Sequence, residues 1–158
     1  MTTEQAPVFE YDASAIGVEV EVGSAEILPD RVAQYLVATG ETNPLYTDEA
    51  AAAAGPHGGL TVPPGILQTL SIAGGPTAKV KFGNTAFHSG QRMEVLGQIR
   101  PGDTIHVSSD VKEVYAKTGR TGTMVFEVRR NRFRNQHGDV VAVSEQAMVH
   151  RQTAPREA

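Results

Sequence analysis

The sequence contains no cysteine among its 158 residues. Disulfide bonds, thiolate metal sites and cysteine nucleophiles are therefore excluded. The sequence also has no Walker loop, no G-x-S-x-G elbow and no dinucleotide-binding fingerprint. No pair of its five histidines has the spacing of zinc ligands with a carboxylate, so we predict no metal and no other cofactor.

Long apolar runs and an excess of positive charge are missing as well. No window approaches the roughly 20 apolar residues of a membrane span, and residues 1–17 lack the basic and apolar blocks of a signal peptide. We therefore expect a cytoplasmic protein that does not bind membranes. The formal net charge is −4, which gives no general attraction for nucleic acid.

Four arginines that lie close together are a local exception to this charge balance: Arg129, Arg130, Arg132 and Arg134. On a strand, alternate members of such a cluster face opposite ways. This pattern favours a solvated strand edge over a phosphate-binding site.

The length and composition fit one globular domain. Hydrophobic residues make up 40% of the chain and charged residues 20%, which is ordinary for a folded protein that buries its own core. We expect a single domain over residues 14–152. Residues 1–13 and 153–158 are polar and are expected to form a flexible N-terminus and C-terminal tail.

The order of the predicted elements indicates an α+β fold. Residues 16–22 alternate as a half-buried strand, which residues 25–28 extend after a bend, and helices are predicted over 29–39 and 48–54. Residues 65–74 are apolar on nearly all sides, so a helix there must be buried. Four strands follow, over 86–99, 104–115, 121–135 and 139–151, and their short turns imply antiparallel neighbours.

The stretch over residues 40–48, GETNPLYTD, connects two of these helices. Gly40 is suited to a left-handed helix cap, and Pro44 prevents the first helix from continuing. Thr47, which precedes two carboxylates, is predicted to cap the next helix. Three polar side chains are thereby presented on a short, stiff turn: Glu41, Asn43 and Tyr46.

This stretch resembles the G-D-x-N-P-x-H-x-D signature of MaoC-like acyl-thioester dehydratases and (R)-specific enoyl-CoA hydratases. The chain matches the signature at Gly40, Asn43, Pro44 and Asp48. Glu41 stands at the position of the family's catalytic aspartate, and Tyr46 stands at that of its catalytic histidine. Residues 59–64, 87–91 and 100–103 resemble later parts of the same family. The resemblance implies a hot-dog fold, in which a curved antiparallel sheet wraps around a central apolar helix.

The same resemblance implies the hydration of an enoyl thioester, which needs a base, an acid and donors for the thioester oxygen. Glu41, Tyr46 and His88 are the candidate catalytic residues. The candidate substrate-binding residues are Asn43, Pro64, Gly65 and Gln91, with the Gly65 N–H as oxyanion donor. Five of these residues have a structural alternative: Glu41 as a solvated residue, Tyr46 as packing, His88 as a structural or solvated histidine, Asn43 as turn chemistry and Gly65 as a point of close approach.

Three functions remain open at this stage. The first is a hydratase or dehydratase of acyl-CoA or acyl-carrier-protein thioesters. The second is a non-catalytic hot-dog subunit that pairs with an active partner. The third is a pocket used for thioester hydrolysis or cyclisation, with Gln68 and Thr69 as its polar candidates. A homodimer or a heterodimer with another hot-dog subunit is expected in each case.

Overall fold

The computed structural model describes residues 8–70, 72 and 74–153. Its main element is one five-stranded antiparallel sheet with the strand order β1-β3-β4-β5-β2. The strands are β1 (Val20–Glu26), β2 (Thr85–Val95), β3 (Thr104–Gly119), β4 (Gly122–Arg134) and β5 (Val140–Arg151). The sheet confirms the predicted α+β class. The neighbours predicted from the short turns are confirmed for β3–β4 and β4–β5 and are wrong for β2, which pairs with β5 and not with β3. The first strand begins later than predicted, because Ile16 makes only an isolated bridge to Val111 and Gly17 turns the chain with φ at 74°.

The described helices all precede the last four strands. They are α1 (Pro29–Thr39), α2 (Pro44–Thr47) and α3 (Glu49–Ala54), with 3-10 helices at Ala13–Ala15 and Pro64–Thr69. The bounds of α1 agree with the prediction, since Pro29 occupies its first turn and Gly40 ends it. Among the described residues, no helix is both long and apolar enough to cross a membrane.

The apolar segment in front of the sheet is shorter than the helix predicted over residues 65–74. It forms a single 3-10 helix, and Leu70 already has the extended angles φ −67° and ψ 119°. Thr69 contributes to this ending, because its hydroxyl donates a hydrogen bond to Ile66 O at 2.7 Å. Gly74, Gly75 and Pro76 follow closely and also disfavour a helix.

The hydrophobic core lies between this segment, α1 and one face of the sheet, which we call the inner face. Ile66 and Leu67 are buried, as is Val32 of α1. The sheet contributes Ile105, Val107, Phe133 and Ala142. The short apolar segment therefore occupies the centre of the fold, as the hot-dog architecture requires.

The opposite face of the sheet, the outer face, carries three of the four clustered arginines. The β3–β4 register pairs Arg130 with Asp110 and Arg132 with Ser108. Asp110 is 1% exposed and forms ion pairs with Arg130 and Arg132. The predicted alternation is confirmed, because Arg129 lies on the inner face. The predicted solvated edge is wrong, because β4 lies between β3 and β5 and its three outer-face arginines have acidic partners.

Both ends of the described chain are attached to the rest of the domain. Glu10 forms a bridge with Lys81, and Thr153 N donates to Asn84 Oδ1 at 2.9 Å. Most of the predicted flexible ends, residues 1–7 and 154–158, lie outside the described residues. The domain boundaries therefore stay a prediction.

Candidate functional site

The turn between α1 and α3 is built by three helix caps. Gly40 has φ at 65° and closes α1, with Glu41 N donating to Leu36 O at 3.0 Å. Asn43 caps α2, because its Oδ1 accepts from Leu45 N at 3.0 Å. Asp48 caps α3 in the same way, by accepting from Ala51 N at 2.9 Å. The cap predicted at Thr47 is therefore wrong by one residue.

Glu41 is half-buried and turns its side chain back onto its own loop. Its Oε1 accepts hydrogen bonds from Thr42 N at 2.9 Å and from Asn43 N at 2.8 Å. No hydrogen bond or ion pair joins its Oε2 to any residue that the structure describes. The carboxylate is thus fixed through one oxygen, while the other is left for a further contact.

Glu41 and Tyr46 lie in the same open cleft on the surface of α1. The cleft has a volume of about 450 Å³, and α1 contributes Ala33, Leu36 and Val37 to its walls. Tyr46 is half-buried there. The two positions that carry the dyad in the resembling family are therefore brought together in the folded chain.

The loop that follows α3 connects this turn to the Pro64–Thr69 helix. Thr61 N donates to Leu45 O at 3.2 Å, and Val62 N donates to Ile99 O at 2.9 Å. Arg100 holds the same loop from the side, since its Nη2 donates to His57 O at 2.6 Å. These bonds fix the approach to Pro64 and Gly65.

Gly65 lies directly beside the hydroxyl of Tyr35 in α1. A Cβ atom added to Gly65 would overlap with Tyr35 Oη. The absence of a side chain at Gly65 therefore allows α1 to pack closely against the 3-10 helix. Pro64 precedes it at the first position of that helix, where its missing N–H leaves no internal bond unmade.

Gln91 and His88 lie elsewhere, on the inner face of β2. The register aligns Gln91 with Gln146 of β5 and with Arg129 of β4. Gln91 and Gln68 line a cavity of about 210 Å³ between the sheet and the segment that follows the 3-10 helix. His88 is exposed and lines neither this inner cavity nor the cleft at Glu41. The candidate residues are therefore not all at one site: Glu41 and Tyr46 line the cleft, and Gln91 lines the inner cavity.

Sequence reasoning missed two residues that the fold places at these sites, Tyr35 beside Gly65 and Arg129 in the inner cavity. Phe133 is a core residue on β4, and period-2 alternation from it assigns Arg129 to the inner face. That signal was available in the sequence. The contact of Tyr35 with Gly65 depends on how α1 packs, and no local pattern specifies it.

The model of the FAS1-like dehydratase domain region matches residues 14–144 of this chain. The chain belongs to that family. A UPF0336 protein of Parafrankia sp. (strain EAN1pec) is 30% identical to this chain over 131 residues. The match covers 80% of this chain and 84% of that protein.

Solved structures of low sequence identity share the fold of this chain. The ChsH1–ChsH2 complex of Mycobacterium tuberculosis has a TM-score of 0.71 at 18% identity, with 91% of this chain and 88% of that chain covered. The MaoC-like dehydratase from Rhodospirillum rubrum has a TM-score of 0.66 at 22% identity, with 89% and 95% covered. The predicted hot-dog fold and the resemblance to MaoC-like dehydratases are therefore confirmed.

Proposed function

We propose that this FAS1-like dehydratase domain catalyses the reversible hydration of an enoyl thioester, carried by coenzyme A or an acyl carrier protein. The observation that supports this is the placement of Glu41 and Tyr46, at the two dyad positions, in one cleft. The catalytic pair differs from the aspartate and histidine of the resembling family. The reaction class is that of a hydro-lyase.

Glu41 is the base in this scheme. Its Oε1 is held by two backbone donors, so the carboxylate has a fixed orientation, and its Oε2 faces no partner among the described residues. A positioned carboxylate of this kind can take a proton from water while the water oxygen adds to the β-carbon of the enoyl group. The electron pair of the double bond then moves toward the thioester oxygen.

Tyr46 and Gly65 complete the scheme. A phenol donates hydrogen bonds but is a poor base at neutral pH, so Tyr46 is assigned to deliver the proton to the α-carbon. The Gly65 N–H is assigned to the thioester oxygen as negative charge develops there. Asn43 and Pro64 support these groups, since Asn43 caps the turn and Pro64 starts the 3-10 helix. Gln91 is assigned to contact the acyl group from β2, whereas His88, which lines neither the cleft nor the inner cavity, has no role in this scheme.

The test is the hydration of crotonyl-CoA and of a longer enoyl-CoA by the purified protein. Glu41→Gln retains an acceptor oxygen for Thr42 N and Asn43 N but removes the base. We expect kcat to fall by about 100-fold or more, as for loss of a general base, with the thermal midpoint unchanged. Glu26→Gln, an exposed residue of β1, is the matched control and should leave kcat unchanged. Full activity in Glu41→Gln would rule out this role.

A second function, a non-catalytic subunit, is favoured by two specific observations. The Glu41 carboxylate already accepts two backbone hydrogen bonds from its own turn, and His88 lies outside the cleft. The similarity to the two-component ChsH1–ChsH2 complex is compatible with such a role. In that case the chain alone is inactive, and it raises the activity of a MaoC-like partner that has an intact aspartate and histidine.

Inactivity both alone and with such a partner would favour a different acyl reaction, such as thioester hydrolysis or cyclisation. Of the two polar residues proposed for it, Gln68 lines the inner cavity. Thr69 is less suited, because its hydroxyl already donates to Ile66 O. Release of free coenzyme A from an acyl-CoA, measured by a thiol reagent, distinguishes hydrolysis from hydration.

A further inference from the structure

The inner cavity is separate from the cleft at Glu41, and its walls are unusually polar for the centre of a fold. Amide and hydroxyl side chains from three strands and from the 3-10 helix face it: Gln68, Gln91, Asn131, Ser144 and Gln146. Arg129 is the one charged side chain in this lining, and no acidic side chain of the described residues lines it.

Arg129 has no counter-charge among the residues that the structure describes. No ion pair within 4.0 Å joins its guanidinium to a described residue, and its Nε is buried without a hydrogen-bond partner among those residues. Glu127, two residues away on the same face, accepts instead from the Thr77 hydroxyl at 3.1 Å. Arg129 is half-buried, and a partly buried guanidinium without a counter-charge is stabilised when a ligand supplies the opposite charge.

A second buried polar group lies beside Arg129. Ser109 is 1% exposed, and its Oγ has no hydrogen-bond partner among the described residues. A Cβ atom on Gly75 would lie 3.5 Å from Ser109 Oγ and 3.4 Å from Arg129 Nη1. Gly75 therefore lies against both groups, which places the Ser109 hydroxyl near the Arg129 guanidinium, although Ser109 is not among the residues that line the cavity.

We propose that the inner cavity binds a carboxylate through Arg129, with the neighbouring Ser109 as a candidate second donor, and that this carboxylate is the far end of a short acyl group. The planar guanidinium matches a carboxylate with two parallel hydrogen bonds, and the Ser109 hydroxyl supplies a third donor. The assignment of the ligand as an acyl group rests on the proposed function, whereas the carboxylate site itself does not.

The position of the cavity fits this ligand. Leu67 and Gln68, which line it, lie one turn after Gly65, where the thioester oxygen is proposed to bind. One turn of a 3-10 helix advances about 6 Å. The cavity volume of about 210 Å³ equals that of about seven water molecules, so it suits a chain of a few carbons rather than a long fatty acyl chain.

The binding test uses glutarate, its neutral diamide and inorganic phosphate as probes, with calorimetry and the thermal midpoint of the intact chain as readouts. We expect glutarate to bind and to raise the midpoint. Arg129→Met should weaken glutarate binding by about 10- to 100-fold, the usual effect of losing a charge-assisted hydrogen bond. Arg129→Lys should give an intermediate loss, and Arg92→Met, which removes an exposed arginine of β2, should cause none.

Three results would overturn the carboxylate site: glutarate binding that is unchanged in Arg129→Met, equal binding of the diamide, or tighter binding of phosphate than of glutarate. If Arg129→Met does not fold, Ser109→Ala is used as the test instead. It should weaken glutarate binding less than Arg129→Lys does. An effect of Ser109→Ala as small as that of Arg92→Met would remove the serine from the site.

The enzymatic test separates this inference from the proposed function. A five-carbon enoyl-CoA that ends in a carboxylate should be hydrated with a higher kcat/KM than crotonyl-CoA, and Arg129→Met should lower only the former by about 10- to 100-fold. Hydration of crotonyl-CoA without this preference would overturn the inference and leave the function standing. Arg129-dependent glutarate binding without any hydration would contradict the function and leave the carboxylate site standing.

Discussion

Arg130 Nη2 donates to Asp110 Oδ2 at 2.9 Å on the outer face of the sheet, where Asp110 is 1% exposed. Arg130 Nε and Arg132 Nη1 donate to Asp110 Oδ1. Burial by itself raises the pKa of the Asp110 carboxyl, but the bonds from the two guanidinium groups outweigh it, so the pKa lies below its usual value. Asp110 is therefore ionised and fully paired in the folded protein.

Replacement of Asp110 by alanine should lower the free energy of unfolding by about 3 kcal/mol, because two arginines lose their buried partner. Urea unfolding at neutral pH measures this change. The matched control is Glu10→Ala, whose ion pair with Lys81 is 74% to 77% exposed and should contribute less than about 0.5 kcal/mol. Equal effects of the two substitutions would contradict a stabilising role for the buried pair.

Stability should decrease in acid through Asp110 and Glu19. The pKa of Glu19 is lowered chiefly by the hydrogen bond from the Ser108 hydroxyl, with further contributions from Arg134 and Arg132. Both folded-state pKa values lie below those of the unfolded chain, which are near 4. Their contribution is therefore present above about pH 4 and is lost as the pH falls through the folded values.

Urea unfolding between pH 7 and pH 3 measures this dependence. Asp110→Asn cannot titrate at position 110, so its free energy of unfolding should fall less steeply below pH 4 than that of the unaltered chain. Parallel pH curves for the two proteins would show that Asp110 does not contribute to the acid dependence.

Gly65→Ala should destabilise the protein by about 1 to 3 kcal/mol, because the added methyl group overlaps with Tyr35 Oη. Tyr35→Phe removes that oxygen, and the next Tyr35 atom lies 3.6 Å from the added carbon. The double variant should therefore regain most of the lost stability in thermal unfolding. Additive losses in the double variant would mean that the two residues do not contact each other.

Strand β2 should form the subunit interface. It pairs only with β5 within the described residues, so one of its edges is open, and Phe87 and Val95 are 43% and 48% exposed. An open strand edge is a site for pairing with another chain. Light scattering should give a mass near twice the 16.8 kDa of one chain, either alone or with a MaoC-like partner.

The variant Phe87→Glu should weaken this dimer, whereas Val37→Glu should not, although Val37 of α1 is 84% exposed. Concentration-dependent light scattering compares the two variants. A chain that stays monomeric with and without the partner would contradict the interface, as would a dimer that Val37→Glu disrupts and Phe87→Glu does not.

Much of the fold could be predicted because its signals are local. Pro29 and Gly40 mark the ends of α1, and the turn sequences that join β3 to β4 and β4 to β5 set the antiparallel pairing of those strands. The pairing of β2 with β5 joins strands that are distant in the chain, and no local turn signal predicts it. The length of the central helix could not be predicted in the same way. Residues 65–74 are apolar on nearly all sides, and the point where the helix ends depends on local competition such as the Thr69 bond to Ile66 O.

In the candidate site, too, some features follow from the local sequence and others depend on tertiary packing. The sequence by itself determined that Glu41, Asn43 and Tyr46 lie on one capped turn, because glycine and proline restrict the backbone wherever they occur. Only the tertiary structure decided that Tyr35 lies against Gly65 and that Arg129 lines a cavity with Gln91 and Ser144. Those residues are distant in the chain, and strand register and helix packing bring them together, which depend on the burial of the whole core.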